Sequence, residues 1–322
     1  MSLKENDRLV IKICRLFYEE NMSQKDIAQM LSISRPQISR ALTYARQAGW
    51  VRIHINNPYS KEDTLEQELI SAYKLCHSVV VNTGFENEND PQKGVGKSTG
   101  MRIAHYITSY RTIGIMSGKS VFHVLDNAIL PHDTGLAFVS LVGGMGASGA
   151  QWHANYMSQR LAEKTGGKAY LLNAPLLVQN EEVRKTLENE EDIRYIFKRF
   201  SDCGIIFAGI GQIDVRATMA ESGILNSEDI AYLKKTGAAA VVGGTFIGRN
   251  GEILDNELSR RFIGIGVDDL KVCPHVVAVA IGREKISAID AALRSSLIHE
   301  LITNTETARG LLKLYQKRAS PF

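Results

Sequence analysis

This sequence has no apolar run near the roughly 18 residues of a membrane-spanning helix, so no transmembrane segment is expected. The first 25 residues carry charge throughout, which argues against a secretory leader. There are four cysteines, Cys14, Cys76, Cys203 and Cys273, dispersed in apolar contexts and without paired spacing. That excludes a zinc knuckle or a disulfide framework and suggests buried free thiols in a reducing cytoplasm. Internal repeats and low-complexity tracts are also missing. With 322 residues and 44% hydrophobic content, the chain is long enough to bury one small and one larger core.

The most informative stretch is SQKDIAQMLSISRPQISRALTYARQAG, Ser23 to Gly49, which reads as a helix-turn-helix. Ser23 is an N-cap with Asp26 at the capping-box position, and Ile27, Ala28 and Leu31 share one helical face. Ser32-Ile33-Ser34 breaks that helix and supplies a second N-cap, with Pro36 in the following first turn. The second helix should bury Ile38, Leu42 and Ala45 and turn Arg35, Gln37, Ser39, Arg40 and Tyr44 outward. In this motif the start of the second helix enters the major groove. Arg35 and Arg40 suit guanine O6 and N7, Gln37 suits adenine, and Ser34, Ser39 and Lys25 suit phosphate, with Tyr44 completing the face.

The surroundings agree. Asp7 to Glu20 spaces Leu9, Ile13, Leu16 and Phe17 as a preceding helix, and Gly49 ends the second helix. Trp50 to Ile55 alternates like a short strand, a small wing. Residues 1–57 hold nine Lys/Arg and five Asp/Glu, a net +4, whereas the whole chain is +3. All the excess positive charge therefore lies on the segment with the DNA-reading pattern, as attraction to phosphate requires.

Residues 1–57 are thus expected to form a winged helix-turn-helix domain, 58–64 a linker around Pro58-Tyr59-Ser60-Lys61, and 65–322 a larger domain. In the larger part, short apolar runs at His77–Asn82, Thr112–Met116, Gly135–Val142, Ala169–Asn173, Gly204–Ala208, Ala238–Val242 and Val276–Ile281 read as buried strands. Helical patterns at 97–110, 120–130, 154–165 and 285–296 lie between them. Such alternation means a Rossmann-like, mostly parallel α/β sheet. Asn250-Gly251 predicts one added hairpin.

Ligands of such sheets bind beyond the carboxyl ends of the strands. After TIGIM comes Ser117-Gly118-Lys119-Ser120 and then a helix, a combination of N–H groups, a hydroxyl and an ammonium suited to an anion. An NTP-binding loop is excluded, because Ile113 stands where the pattern needs glycine; Gly96-Lys97-Ser98 fails likewise at Pro91. Gly144, Gly146 and Gly149 satisfy G-x-G-x-x-G, but the next strand ends in Asn173-Ala174-Pro175 without the acidic residue that holds a ribose. No cofactor is therefore expected. The backbone of Gly143 and Gly144 is read instead as facing a small anionic ligand, with His153 and Asn155 beyond it for sugar hydroxyls. Gly209-Ile210-Gly211-Gln212 and Lys285 occupy the same sheet edge. Were the chain an isomerase or deaminase, Asp214 and Asp255 are the carboxylates to test as bases.

Taken in order, the helix-turn-helix, LEQELISAYKL leading to HSVVV, TIGIMSGKS, SLVGGMG, HANYMSQRLAEKTGG followed by APLL, and VVAVAIGREKISAIDAAL followed by LIT resemble the SorC-type sugar-responsive transcriptional regulators over essentially the whole length. The resemblance implies an effector domain with the fold of sugar-phosphate isomerases, phosphorylated sugars as effectors, and homotetramers on operator DNA of sugar-use genes. It implies that Gly118, Lys119 and Ser120 cradle phosphate, that Gly143 and Gly144 line the sugar, and that His153 and Lys285 reach the ligand, with Gln212 and Asp255 counted beside them. One position departs from the pattern. Val142 stands where relatives can carry a Lys or an Arg, which speaks against a Schiff-base adduct there and against a bisphosphate.

Overall fold

Two serines set the shape of the N-terminal helices. The computed structural model, which describes residues 7–51, 60–83, 90–146 and 150–319, separates into two compact units, Met1–Pro58 and Tyr59–Phe322. The first holds α1 (Asp7–Tyr18), α2 (Gln24–Leu31) and α3 (Arg35–Gln47). Ser23 caps α2, its hydroxyl oxygen accepting from Asp26 N at 3.2 Å. Ser32 then stops α2 with φ 53°, the left-handed conformation that ends many helices. Val10, Ile13, Leu16, Ile27, Ile38, Leu42 and Ala45 close a small core. This is the expected helix-turn-helix; the wing expected up to Ile55 lies, beyond Val51, outside the described residues.

The second unit begins directly with a helix. It runs α4 (Ser60–Tyr73), β1 (His77–Val81), α5 (Pro91–Ser109), β2 (Thr112–Ile115), α6 (Lys119–Asp126), β3 (Ala137–Ser140), α7 (Ala154–Thr165) and β4 (Lys168–Tyr170). Then come α8 (Glu181–Asn189), α9 (Glu191–Phe197), β5 (Ile205–Gly209), β6 (Gly211–Gln212), α10 (Thr218–Glu221), α11 (Ser227–Lys235), β7 (Ala238–Val242), β8 (Thr245–Gly248) and β9 (Ile253–Leu254). The chain closes with α12 (Val267–Val272), β10 (Val276–Val279), α13 (Ile286–Arg294), β11 (Glu300–Asn304) and α14 (Thr305–Ala319).

Seven strands form one wholly parallel sheet in the order β1-β11-β10-β5-β2-β3-β4. Its strands are apolar on both faces because both faces are covered. Ile113, Ile205 and Phe207 pack toward α5, α6 and α7, while Ile206, Ala278 and Leu301 share the opposite core with α4, α13 and α14. Among the described residues no helix is long and apolar enough to cross a membrane.

Four expectations need correction. Ala238–Val242 is not part of the parallel sheet; it is the second strand of a separate antiparallel sheet, β6-β7-β8-β9, whose β8–β9 turn at Asn250-Gly251 is the expected hairpin, with Gly251 at φ 87°. β11 was not anticipated. It starts on a glutamate, and Thr303 and Asn304 obscure its apolar run although all five of its residues are buried. The linker expected over 58–64 is helical from Ser60, because Leu65, Leu69 and Tyr73 pack into this unit's own core and Tyr73 donates its hydroxyl proton to Asp290 at 2.8 Å. Cys76, finally, is exposed, whereas Cys14, Cys203 and Cys273 are buried free thiols.

Gly96-Lys97-Ser98 belongs to a helix interface and not to a loop. A Cβ on Gly96 would lie 2.3 Å from the His123 carbonyl oxygen, and one on Gly100 would lie 2.5 Å from that of Asn127, so α5 rests directly on the backbone of α6. Gly96→Ala therefore sets two effects against each other. Helix propensity gains about 1 kcal/mol, whereas overpacking against backbone costs about 1–3 kcal/mol. Overpacking should win, and chemical denaturation is expected to show a less stable protein; an unchanged or raised midpoint would mean the two helices part freely.

Candidate functional site

The carboxyl ends of β2, β3, β5 and β10 open onto one cavity of about 430 Å³. Its wall takes Ser117 to Ser120 from the turn after β2, Val142 and Met145 from the turn after β3, Gly209 to Gln212 from β5 and β6, and Glu284 and Lys285 from the segment after β10. Arg216, just before α10, and Met219 and Glu221 of α10 also line it. The parallel sheet brings together strand ends that are distant in the chain, as open α/β folds do.

At the β2–α6 turn each donor can be followed. Gly118 N–H is already used, donating to Trp152 O at 3.0 Å, and Ser117 Oγ accepts from Ala154 N at 3.0 Å, so this turn is braced against the start of α7. The first intrahelical bond is Phe122 N to Gly118 O at 3.0 Å. Lys119, Ser120 and Val121 precede it, and their N–H groups point out of the helix end, where an anion is favoured.

Two residues of this wall each carry a polar atom with no partner among the described residues. Ser120 Oγ and Gln212 Oε1 are both buried and both unbonded. A buried polar atom left so costs about 1–3 kcal/mol. Such atoms mark a place where a hydrogen-bonding ligand fits.

The charges are arranged with equal economy. Lys119 Nζ sits 3.0 Å from Glu221 Oε2 and 4.4 Å from the centre of the Trp152 ring. Burial pushes the Lys285 ammonium below the usual lysine range; Glu284 opposes that shift and the positive Lys119 adds to it. Val142 is buried and presents only methyl groups at its part of the wall.

Gly118, Lys119, Ser120, Gln212 and Lys285 are thus brought to one cavity, but the other four expected ligand residues are not among its lining. Gly143 N donates to Ile263 O at 3.0 Å and Gly144 N to Ala174 O at 2.8 Å, so neither glycine offers a free N–H. A Cβ on Gly143 would meet the Pro175 oxygen at 2.5 Å, so that glycine serves a close backbone crossing. His153 occupies the N-cap position of α7, and Asn155 is committed to both backbone groups of Leu172 at 3.1 Å. Gly149 of the glycine pattern lies outside the described residues.

Asp255 is held by Arg260 at 2.6 Å, which keeps its carboxyl below the usual range. Asp214 accepts from Arg216 N and faces Lys234, with the same direction of shift. Both are poor general bases for that reason. Among the described residues no group of three or more His, Cys, Asp or Glu side chains is placed to hold a metal ion.

Glu221, Met219 and Trp152 were missed by sequence reasoning. The α10 turn is four residues long, too short for any periodicity to show, and the only local signal was Gly209-Ile210-Gly211 pointing to the same edge.

In the N-terminal unit, Arg35, Ser39 and Arg40 are exposed on α3, and Lys25 is exposed on α2. Two expected readers are otherwise engaged. Gln37 Oε1 accepts from both Ser34 N and Ser34 Oγ at 2.9 Å, the reciprocal half of a capping box. Tyr44 is half-buried and meets Trp50 edge-on, with ring centres 5.4 Å apart. Of the expected reading face, Arg35, Ser39 and Arg40 are therefore exposed, with Gln37 tied to the helix start.

Comparison with known proteins follows the same division. Residues 57–313 match the family described as "Putative sugar-binding domain", and residues 1–48 match the description "Sigma-70, region 4". The chain is 28% identical to the sorbitol operon regulator of Klebsiella pneumoniae, over 97% of this chain and 100% of that protein. It is 27% identical to the deoxyribonucleoside regulator of Bacillus subtilis, over 96% of this chain and 98% of that protein. The crystal structure of the full-length Klebsiella sorbitol operon regulator SorC superposes with a TM-score of 0.71, covering 95% of this chain and 98% of that one.

Proposed function

Because the chain belongs to this sugar-binding-domain family, we propose that it is a DNA-binding transcriptional regulator of carbohydrate-use genes whose operator binding is controlled by a phosphorylated sugar. The observation that carries this reading is the pair of buried, unbonded atoms Ser120 Oγ and Gln212 Oε1 in a cavity that also holds Lys119 and Lys285. A phosphate at the start of α6 takes the N–H groups of Lys119 to Val121 and the Ser120 hydroxyl. The sugar then extends toward Gln212 and Lys285. A neutral sugar leaves those donors facing no anion, and Val142 offers only methyl groups at the position where a second phosphate partner could stand, although Arg216 also lines the cavity. A monophosphorylated sugar fits best.

The same reading makes the chain a regulator and not an enzyme: Asp214 and Asp255 are held charged in ion pairs and neither lines the cavity, although Arg216, one partner of Asp214, does. It makes the protein cytoplasmic, where operators and sugar phosphates are. It also makes it an oligomer, since one helix-turn-helix contacts few base pairs and half-sites about 10 base pairs apart need two. The likeness to the sorbitol operon regulator favours a homotetramer. The α4 stripe does not supply the subunit contact, since Leu65, Leu69 and Tyr73 are buried within their own unit.

Thermal unfolding with matched pairs of sugars and their phosphate esters tests the reading. A ligand at 100 times its dissociation constant stabilises by about 2.7 kcal/mol, so one phosphate ester should raise the midpoint while its parent sugar does not. Recovery of that ester unchanged is expected; conversion to product would favour an enzyme instead. Light scattering of the same sample should report an oligomer, and a monomer both with and without DNA would refute the assembly.

A further inference from the structure

The phosphate cradle has a competitor built into the chain. Glu221 Oε2 lies 3.0 Å from Lys119 Nζ, and both residues line the cavity. We propose that Glu221 is an internal stand-in for the effector's phosphate, neutralising Lys119 in the free protein and expelled from it when phosphate arrives, so that release of the α10 turn signals occupancy. The inference rests on the phosphate reading of the β2–α6 turn and adds to it the step by which binding moves the protein.

Three observations support it. The first is charge. Lys119 and Lys285 both line one cavity, and the positive Lys119 disfavours the charge on Lys285, so a carboxylate paired with Lys119 lessens that repulsion. A phosphate dianion and a glutamate cannot both occupy one ammonium without like-charge repulsion, and the dianion has more to gain. It reaches the open N–H groups of α6 and the unbonded Ser120 Oγ, neither of which Glu221 engages.

The second is the strength of the contact. The side chains of Lys119 and Glu221 are 30% and 52% exposed, and an ion pair that open to water contributes little. The third is the cost of moving. Within α10 itself no residue is buried, and the turn is held by short-range backbone bonds such as Glu221 N to Ala217 O at 2.9 Å. Its apolar contacts are the partly buried Met219 and Ala220, so a shift of the turn exposes these two side chains and carries Met219 away from the cavity wall as it goes.

Trp152 provides the readout. Its ring lies under the Lys119 ammonium at 4.4 Å and its carbonyl holds Gly118 N–H, so any change at Lys119 alters the indole's surroundings. The chain has two tryptophans, and Trp50→Phe leaves Trp152 as the sole emitter.

In that background, inorganic phosphate is titrated into the full-length protein and into Glu221→Gln, with calorimetry alongside fluorescence. Removing the competing charge is expected to tighten phosphate binding about tenfold. Phosphate-free Glu221→Gln should differ in Trp152 emission from the phosphate-free parent, because Glu221 no longer pairs with Lys119, and Glu221→Asp should bind phosphate between the two. Equal or weaker phosphate binding by Glu221→Gln, with binding by the parent intact, overturns the stand-in and leaves the phosphate site standing. Absence of phosphate binding in both proteins, with Ser120→Glu indistinguishable from either, overturns the site reading and the stand-in together.

Discussion

Ser120→Glu is expected to abolish the response to a phosphorylated sugar while the protein still binds its operator. Ser120 is the second residue of α6, lines the cavity, is 3% exposed and carries a buried, unbonded hydroxyl. A carboxylate there puts a negative charge within about 4 Å of the incoming phosphate, which costs about 4 kcal/mol per pair of unit charges at an effective dielectric near 20. That is roughly a thousandfold in affinity. Because Ser120 is buried, the larger and charged side chain also costs stability, which the helix dipole offsets only in part, so retained operator binding in the same sample is the control for a folded protein. Lys119→Ala is a weaker probe, since the backbone donors of α6 remain. Titration of the operator complex with the sugar phosphate decides the matter, and a normal response in Ser120→Glu would place the phosphate elsewhere.

Arg40→Ala and Arg35→Ala should each cost about 1–3 kcal/mol on the operator and relax base preference, since a bidentate arginine–guanine contact is worth that much. Gln37→Ala should behave differently. Its carbonyl oxygen is bonded to Ser34 N and Ser34 Oγ, so its loss removes a helix cap worth about 1 kcal/mol and weakens binding to operator and random DNA alike. Lys25→Ala should also act evenly on all sequences, as a phosphate contact does. Fluorescence anisotropy with operator and random duplexes separates the cases. A Gln37→Ala protein that loses only the operator would restore Gln37 as a base reader, and even losses for Arg35 and Arg40 would remove them.

Much of this was legible in the residues, and the failures have physical causes. The helix-turn-helix was readable because caps, breaks and apolar spacing are local properties of Ser23, Ser32, Ser34 and the Ile27, Ile38, Leu42 set. The parallel strands were readable because β2, β5 and β10 are apolar on both faces. Ala238–Val242 has the same appearance, and nothing within five residues says which sheet it joins or in which direction; only pairing with Thr245–Gly248 settles it. The strand-to-helix turn proposed for the phosphate was visible in Ser117 to Ser120, where strand, glycine and helix meet in sequence. Whether the N–H groups of Gly143 and Gly144 are free depends on Ile263 and Ala174, and for Ile263 the partner is more than a hundred residues away. A sequence shows which donors exist, but not which acceptors have already claimed them. Glu221 was hidden for the complementary reason, since its role is set by the approach of Lys119 across 102 positions.

The central claim is that the cavity at the strand ends takes the phosphate of a sugar. Isothermal titration of the full-length protein with a sugar phosphate that shifts its melting midpoint, and with the same sugar lacking the phosphate, tests this most directly. One site per chain is expected for the ester, with no measurable binding of the parent sugar and loss of the ester's binding in Ser120→Glu. Tighter binding of the unphosphorylated sugar, or an unchanged isotherm in Ser120→Glu, would contradict it.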